Sequence, residues 1–181
     1  MPGTKDVKQL VNVGIIAAFA TLSFIGTLVI RIPIPATGGY FNLGDTFVMI
    51  AALLYGPLIG GAVGLIGPAL ADAIGYPQFI LATASVKGLE GLLVGAIGGR
   101  SAGASMAKPV MALAVGIAVI VIGYFVFEAF IYPLIGKTIP FFKVTTFEQA
   151  LGELFPNFMQ GIISALIAFG IWRVFRSRAQ K

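Results

Sequence analysis

Cysteine and histidine are both absent from the 181 residues, and charged residues make up only 10% of them. Without cysteine the chain has no disulfide, no thiolate metal ligand and no cysteine nucleophile. Without histidine it lacks the commonest metal ligand and the usual general base near neutral pH. A phosphate-binding loop of the form Gly-x-x-x-x-Gly-Lys-Ser/Thr is missing as well. We therefore expect no catalytic residues, no cofactor and no metal.

Hydrophobic residues, by contrast, make up 58% of the chain, and its mean hydropathy is +0.99. Soluble domains usually carry about a quarter charged residues, so this chain needs a lipid environment. Its apolar runs are continuous, which favours helices over the alternating strands of a membrane barrel. The sequence predicts an all-α integral membrane protein: one six-transmembrane-helix bundle that occupies residues 1–181 as a single domain.

Six apolar stretches mark the predicted spans. Pro33 and Pro35 end the first span, and Gly56-Pro57 divides one long stretch into the second and third spans. The spans are residues 10–30, 45–54, 57–73, 83–97, 110–131 and 157–175. Three longer connections, residues 31–44, 72–82 and 132–156, are predicted to lie on one side of the membrane.

Lysine and arginine placement predicts the orientation, because cytoplasmic loops retain positive charge. One side carries most of these residues: Lys5, Lys8, Arg100, Lys108, Arg173, Arg176, Arg178 and Lys181. The other side carries Arg31, Lys137 and Lys143. Both termini are therefore predicted to be cytoplasmic, and the three longer connections to be outside. The single tryptophan, Trp172, is predicted to be an anchor at the inner boundary.

Polar side chains near the outer ends of the spans are the candidate binding residues. Ionisable groups are costly in a membrane, so they usually face protein or a cavity. Lys87 and Glu90 are three residues apart on one helix face, where they either pair with each other or contact a ligand. The candidates are Tyr40, Asn42, Asp72, Gln78, Lys87, Glu90, Tyr124, Glu128, Asn157 and Gln160. Their shared side predicts a small-molecule pocket.

Small residues recur at helical spacing on the first span, at Gly14, Ala17, Ala18 and Thr21. Such spacing lets helices approach closely in lipid. It predicts close packing, either within the bundle or against a partner.

Several segments together resemble one family, the S component of energy-coupling factor (ECF) vitamin transporters. They are residues 40–45 (YFNLGD), 51–57 (AALLYGP), 75–78 (GYPQ) and 87–91 (KGLEG). Gly60, Gly64, Ala71-Asp72, Pro156-Asn157 and Gln160-Gly161 also fit, so the resemblance covers most of the chain.

The resemblance implies a six-helix subunit in the plasma membrane of a prokaryote that captures a vitamin or vitamin precursor from outside. It also implies partners: a transmembrane T component and two ATP-hydrolysing subunits, with toppling of the S component driven by ATP. Family members dock through an Ala-x-x-x-Ala pattern, for which this chain offers Gly14 and Ala18. The connection after the first helix is the family's lid, which corresponds here to residues 31–44.

Within the family, the resemblance favours carriers of hydroxymethylpyrimidine, pyridoxine or riboflavin. Thiamine carriers use several tryptophans in the site, whereas this chain has one. Tyrosine and phenylalanine rings are expected to stack on a heteroaromatic ligand, while Asn42, Gln78, Lys87 and Asn157 bind its polar edge.

Three other functions stay open from the residues alone. A stand-alone channel or secondary carrier would need a coupling-ion site, for which Asp72 and Glu128 are candidates. A membrane enzyme would use Asp72, Glu90 and Glu128 as acid and base. A structural subunit would bind no small molecule.

Overall fold

The computed structural model of the protein describes residues 3–99, 105–139, 141–142 and 145–179. Arg100, Lys143 and Lys181, which contribute to the predicted orientation, lie outside these residues. The elements follow in the order α1 (Thr4–Val29), β1 (Ile32–Ile34), β2 (Gly39–Phe41), α2 (Gly44–Tyr55), α3 (Pro57–Gly75), a 3-10 turn (Pro77–Phe79), α4 (Ile80–Gly98), α5 (Ala107–Val126), a π-helical turn (Phe127–Ile131), α6 (Tyr132–Ile135) and α7 (Phe147–Ala179).

Within the described residues, five helical segments are long and apolar enough to cross a membrane: Thr4–Val29, Pro57–Gly75, Pro77–Gly98, Ala107–Ile135 and Phe147–Arg178. The remaining helix, α2, has 12 residues and is about 18 Å long, short of the ~30 Å hydrocarbon core. The mostly helical membrane architecture agrees with the sequence. A count of six complete spans, and cytoplasmic termini, stay predictions.

The predicted break between the second and third spans is confirmed at Gly56. Its φ of 91° is a conformation that favours glycine, and Pro57 then opens α3 at a position where no backbone N–H is needed. The chain reverses there, and α3 packs along both α2 and α4.

The predicted connection 132–156 is wrong at both ends. The fifth span continues through the π-helical turn into α6 and ends at Ile135. The last helix begins at Phe147, ten residues before the predicted start at residue 157, and holds Pro156 inside it. Thr146 and Gln149 explain this start, because each side chain bonds the other's backbone N–H (3.2 and 3.0 Å). This is a capping box.

The predicted connection 31–44 contains a β-hairpin, an element absent from the all-α prediction. Ile32 pairs with Phe41, and Ile34 pairs with Gly39, in an antiparallel register. Gly38 adopts a φ of 74° in the turn, and its N–H donates to the Ile34 carbonyl (2.8 Å). We call the end of the bundle that carries this hairpin the hairpin end.

The core is built around α2, whose Val48, Met49 and Leu53 have no exposed surface. Glycines let α3 and α4 cross closely: a Cβ added to Gly60 would lie 2.7 Å from the Gly91 carbonyl oxygen. This close approach matches the role of small residues in membrane helices.

The predicted interfacial role of Trp172 is wrong. Its ring is only 3% exposed and packs in the same cluster as Ala165 and Ala168, with Phe169 tilted against it (5.8 Å between centroids). The helical register of α7 turns this position toward the core.

Candidate functional site

A pocket at the hairpin end collects side chains from the hairpin and the ends of three helices. Its lining comprises Gly39, Tyr40, Asn42, Phe79, Thr83, Tyr124, Glu128, Glu153 and Asn157. The free volume is about 30 Å³, room for roughly one water molecule. In this state the pocket is nearly closed.

The hairpin is fastened to the helices on both sides of the pocket. On one side, the Thr37 hydroxyl donates a hydrogen bond to the Glu153 carboxylate of α7. On the other side, the Tyr40 hydroxyl donates to Asp72 near the end of α3. Burial and the neighbouring Asp72 carboxylate raise the pKa of the Tyr40 hydroxyl, so it stays protonated and remains a donor.

Arg31 reinforces the second attachment. Its guanidinium lies 4.7 Å from the centroid of the Tyr40 ring and 5.1 Å from that of Tyr76, and it donates to the Ala71 carbonyl (3.0 Å). The two tyrosine rings are themselves 4.6 Å apart. Cation–π contacts of this kind stabilise an arginine over the faces of aromatic rings. The hairpin therefore covers the pocket through several separate contacts.

A buried polar network lies beside the pocket and joins four elements. The Gln160 carbonyl oxygen accepts from the backbone N–H and the side-chain amide of Asn42 (2.8 and 3.1 Å). The Gln160 amide nitrogen donates to Asp45 (2.8 Å). Asp45 then pairs with Lys87 at 2.6 Å, where both side chains are at most 1% exposed. Removing one member of such a buried network leaves its partner without a compensating charge or hydrogen bond, which is costly.

Of the two alternatives that the sequence left open for Lys87, a pair with Glu90 or a contact with ligand, the first is replaced by this ion pair. Lys87 forms its ion pair with Asp45 on α2. Neither carboxylate oxygen of Glu90 has a hydrogen-bond partner among the described residues. The alternative in which Lys87 contacts ligand directly is also disfavoured, because its ammonium group is already paired within the bundle. The Lys87 ammonium lies 5.0 Å from the centroid of the Tyr124 ring. Lys87 therefore contacts a residue of the pocket lining without belonging to the lining itself.

Asn42 and Asn157 line the same pocket, but they differ in whether their side chains already have hydrogen-bond partners. The Asn42 side chain is engaged, because its amide donates to Gln160 and its carbonyl oxygen accepts from the Gly44 N–H (2.9 Å). The Asn157 side chain has no hydrogen-bond partner among the described residues, although it is only 8% exposed. Asn157 therefore has its donors and acceptor available to a ligand.

The wall opposite the hairpin comes from α4 and α5. A hydrogen bond of 3.1 Å joins the Thr83 hydroxyl to that of Tyr124. Glu128 stands in the π-helical turn, a local widening that is frequent at functional sites. The Thr145 hydroxyl donates to the Glu128 carbonyl oxygen and ties this turn to the start of α7.

The pocket brings together half of the predicted binding residues: Tyr40, Asn42, Tyr124, Glu128 and Asn157. Asp72 acts one step away, through Tyr40. Lys87 and Gln160 belong to the buried network, Glu90 is buried near it, and half-buried Gln78 lies in the 3-10 turn outside the lining.

The sequence analysis missed Gly39, Thr83 and Glu153, and it covered Phe79 only through the general expectation that phenylalanine rings stack on the ligand. Glu153 was missed because residues 132–156 were taken as a connection. The capping box at Thr146 was the signal that would have placed Glu153 two turns into a helix. Thr83 and Gly39 carry no comparable signal, because threonine and glycine are common in helix interiors and turns of membrane proteins.

Comparison with known proteins decides the family. The family model described as "ECF-type riboflavin transporter, S component" matches residues 4–176. The chain belongs to this family. A solved structure of the S component of a bacterial ECF transporter shares the fold, with a TM-score of 0.71, 16% sequence identity, and coverage of 96% of this chain and 99% of that chain.

Two curated relatives illustrate the range of similarity. A protein of Pyrococcus woesei, named an uncharacterized protein in gap 3'region, is 34% identical over 84% of this chain and 93% of its own length. A UPF0397 protein of Streptococcus agalactiae serotype Ia is 37% identical over 51% of this chain, and the chain spans about half of that relative's length (49%).

An S component is the substrate-binding subunit of an ECF transporter, and its family is a transporter family and not an enzyme family. The four residues predicted to dock a partner, Gly14, Ala17, Ala18 and Thr21, are all exposed on α1 in this S component. A Cβ added to Gly14 would meet nothing within 4 Å. This stretch of α1 therefore does not pack closely inside the described part of the bundle.

Proposed function

We propose that this S component captures riboflavin at the hairpin end of the bundle for ATP-driven uptake. The family model named for riboflavin S components, which covers residues 4–176, is the observation that carries the proposal. The pocket chemistry supports it, because aromatic rings and an available amide are the groups that a flavin ring system requires.

Riboflavin has a flat heteroaromatic ring system and a hydroxylated side chain. We assign the ring system to the faces of Tyr40, Phe79 and Tyr124, and its polar edge to Asn157. The carboxylates of Glu128 and Glu153 are acceptors suited to the hydroxyl groups of the side chain. The pocket of about 30 Å³ cannot hold this ligand, so entry requires that the hairpin move away from α3 and α7.

The small volume also supports a second candidate, a smaller heteroaromatic precursor of the hydroxymethylpyrimidine or pyridoxine type. Such a ligand needs a smaller displacement of the hairpin. It would use the same aromatic faces and the same amide.

For the complete transporter, we place the hairpin end outside and both termini in the cytoplasm of a prokaryotic cell. The T component and two ATP-hydrolysing subunits would complete the transporter, and ATP hydrolysis would drive the uptake. A stand-alone carrier is the alternative. Uptake by vesicles that contain this chain alone, with no ATPase present, would favour that alternative.

We expect the protein purified in mild detergent to release one vitamin per chain on denaturation, identified by mass spectrometry as riboflavin. In a stripped sample, added riboflavin should bind with quenching of its own fluorescence, because stacking on the tyrosines Tyr40 and Tyr124 quenches the flavin. Hydroxymethylpyrimidine and pyridoxine are then added to the riboflavin-bound protein. If one of them is the substrate, it should displace riboflavin and restore the flavin fluorescence. Binding of a precursor without riboflavin would replace the first candidate, and failure of the whole vitamin panel would contradict the vitamin assignment.

Partner docking through α1 gives a separate prediction. We expect Ala18→Trp to abolish copurification with the T component while riboflavin binding stays unchanged, because the indole would hold two close-packed helices apart. Ala118→Trp is the matched control, since Ala118 is an exposed alanine on α5. If both variants copurify equally with the T component, α1 is not the docking surface.

A further inference from the structure

An apolar groove of about 390 Å³ runs between α5 and α7 on the outer surface of the bundle. Buried Leu113 and Ala165 form its floor. The groove is lined from α5 by Val110, Ala114 and Ile117, and from α7 by Ile162, Leu166 and Phe169. Leu166 is 68% exposed and Val110 is 53% exposed, so the groove is open to its surroundings.

Two arginines stand at the end of this groove away from the hairpin. Arg173 and Arg176 follow Phe169 by four and seven residues, which places both on the groove side of α7 one to two turns further along. Arg178 follows Phe169 by nine residues, about 180° around the helix, and so lies on the opposite face.

Arg176 is held across the mouth of the groove. Its guanidinium lies 5.1 Å from the centroid of the Trp172 ring, and it reaches the sulfur of Met106, next to the start of α5, at 3.5 Å. Arg173 is exposed beside it, and neither arginine has a carboxylate partner among the described residues. The groove thus ends in two positive charges, one of them fixed in position by its contacts with both helices.

The dimensions correspond to one lipid chain in one leaflet. The groove side chains from Ile162 to Phe169 extend about 10 Å along α7, and Arg176 stands about 21 Å from Ile162. The hydrocarbon of one leaflet is about 15 Å thick. An acyl chain lying in the groove therefore brings its phosphate to the level of the two arginines.

We propose that this groove and its two arginines form a binding site for an anionic phospholipid. One acyl chain occupies the apolar groove, and the headgroup phosphate accepts hydrogen bonds from Arg173 and Arg176. Guanidinium groups bind phosphate oxygens in a fork geometry, and basic sites between membrane helices select anionic headgroups over zwitterionic ones. This site is separate from the vitamin pocket at the hairpin end, and the proposal does not depend on which vitamin binds there.

The test is a lipid titration of the purified, detergent-solubilised chain, monitored by native mass spectrometry. The probes are phosphatidylglycerol and phosphatidylcholine with identical acyl chains. We expect the wild-type protein to prefer phosphatidylglycerol, and the R173Q/R176Q double variant to lose roughly tenfold or more in affinity for that lipid. A double variant with lysines, R173K/R176K, should keep an intermediate preference, because it retains both charges and loses the fork geometry.

Arg178→Gln is the matched control, since it removes the same charge from the same helix on the other face. It should leave the preference intact. Equal loss in R178Q and in R173Q/R176Q would reduce the effect to general attraction by a basic terminus and overturn the proposal, as would equal binding of the two lipids by the wild type. Thermal unfolding of every variant, measured without added lipid, identifies any loss of lipid affinity that comes from misfolding. If R173Q/R176Q is misfolded, the lipid preference of R173K/R176K is compared with that of the wild type instead.

Discussion

Lys87→Met is expected to lower the free energy of unfolding by about 3–5 kcal/mol, the usual cost of removing one partner from a buried ion pair. The substitution keeps the length of the side chain but leaves the Asp45 carboxylate buried without its cation. The Gln160 amide still donates to Asp45, yet one neutral donor does not replace an ammonium group at 2.6 Å. The measurement is unfolding in detergent, followed by circular dichroism.

Two companion variants show which carboxylate matters. Adding Asp45→Asn to Lys87→Met should recover most of the lost stability, because both charges are then removed together. Glu90→Gln should change stability by no more than about 1 kcal/mol, since the Glu90 carboxylate has no hydrogen-bond partner among the described residues to lose. A large loss in E90Q with no recovery in the double variant would show that Lys87 pairs with Glu90 after all. Lys137→Met, on an exposed lysine, controls for loss of charge.

Asn157→Ala is expected to weaken vitamin binding by roughly tenfold to a hundredfold, with stability unchanged. Its amide lines the pocket and has no partner among the described residues, so its removal affects the ligand and not the bundle. Binding of riboflavin by fluorescence quenching, together with thermal unfolding of the empty protein, measures the two effects separately.

Two other amides provide the comparison for Asn157. Asn42→Ala should lower stability as well as affinity, because Asn42 bonds Gln160 and the Gly44 N–H. Gln78→Ala should affect neither property strongly, since Gln78 is half-buried outside the lining. Unchanged affinity in N157A would remove Asn157 from the binding residues and shift the recognition of the ligand's polar edge to other groups.

The pocket shows which binding residues can be predicted from the sequence and which cannot. Tyr40 and Asn42 were found because they stand in a polar and aromatic segment between two apolar spans, and the structure places both in the pocket. Glu153 was missed because residues 132–156 were predicted to be a connection, whereas Thr146 and Gln149 start the helix ten residues before the predicted start, with Pro156 inside it. Proline inside a membrane helix is tolerated when neighbouring groups satisfy the freed backbone.

The Lys87–Asp45 ion pair shows more clearly what spacing along the sequence cannot predict. Glu90 is three residues from Lys87 and was the natural partner by helix spacing, whereas Asp45 is 42 residues away in sequence and bonds it. Spacing describes only which side chains share a face of one helix. It contains no information about which other helix that face meets.

The sequence by itself determined the class of the molecule, because long continuous apolar runs with few charges are stable only as helices in lipid, and it determined the family through motifs spread along most of the chain. The tertiary structure alone decided that Lys87 pairs with Asp45, that Asn157 lines the pocket without a hydrogen-bond partner among the described residues, and that the hairpin is fastened to both α3 and α7. The physical reason is that hydropathy acts locally along the chain. Hydrogen bonds and ion pairs between distant segments depend on distances that exist only once the helices have packed.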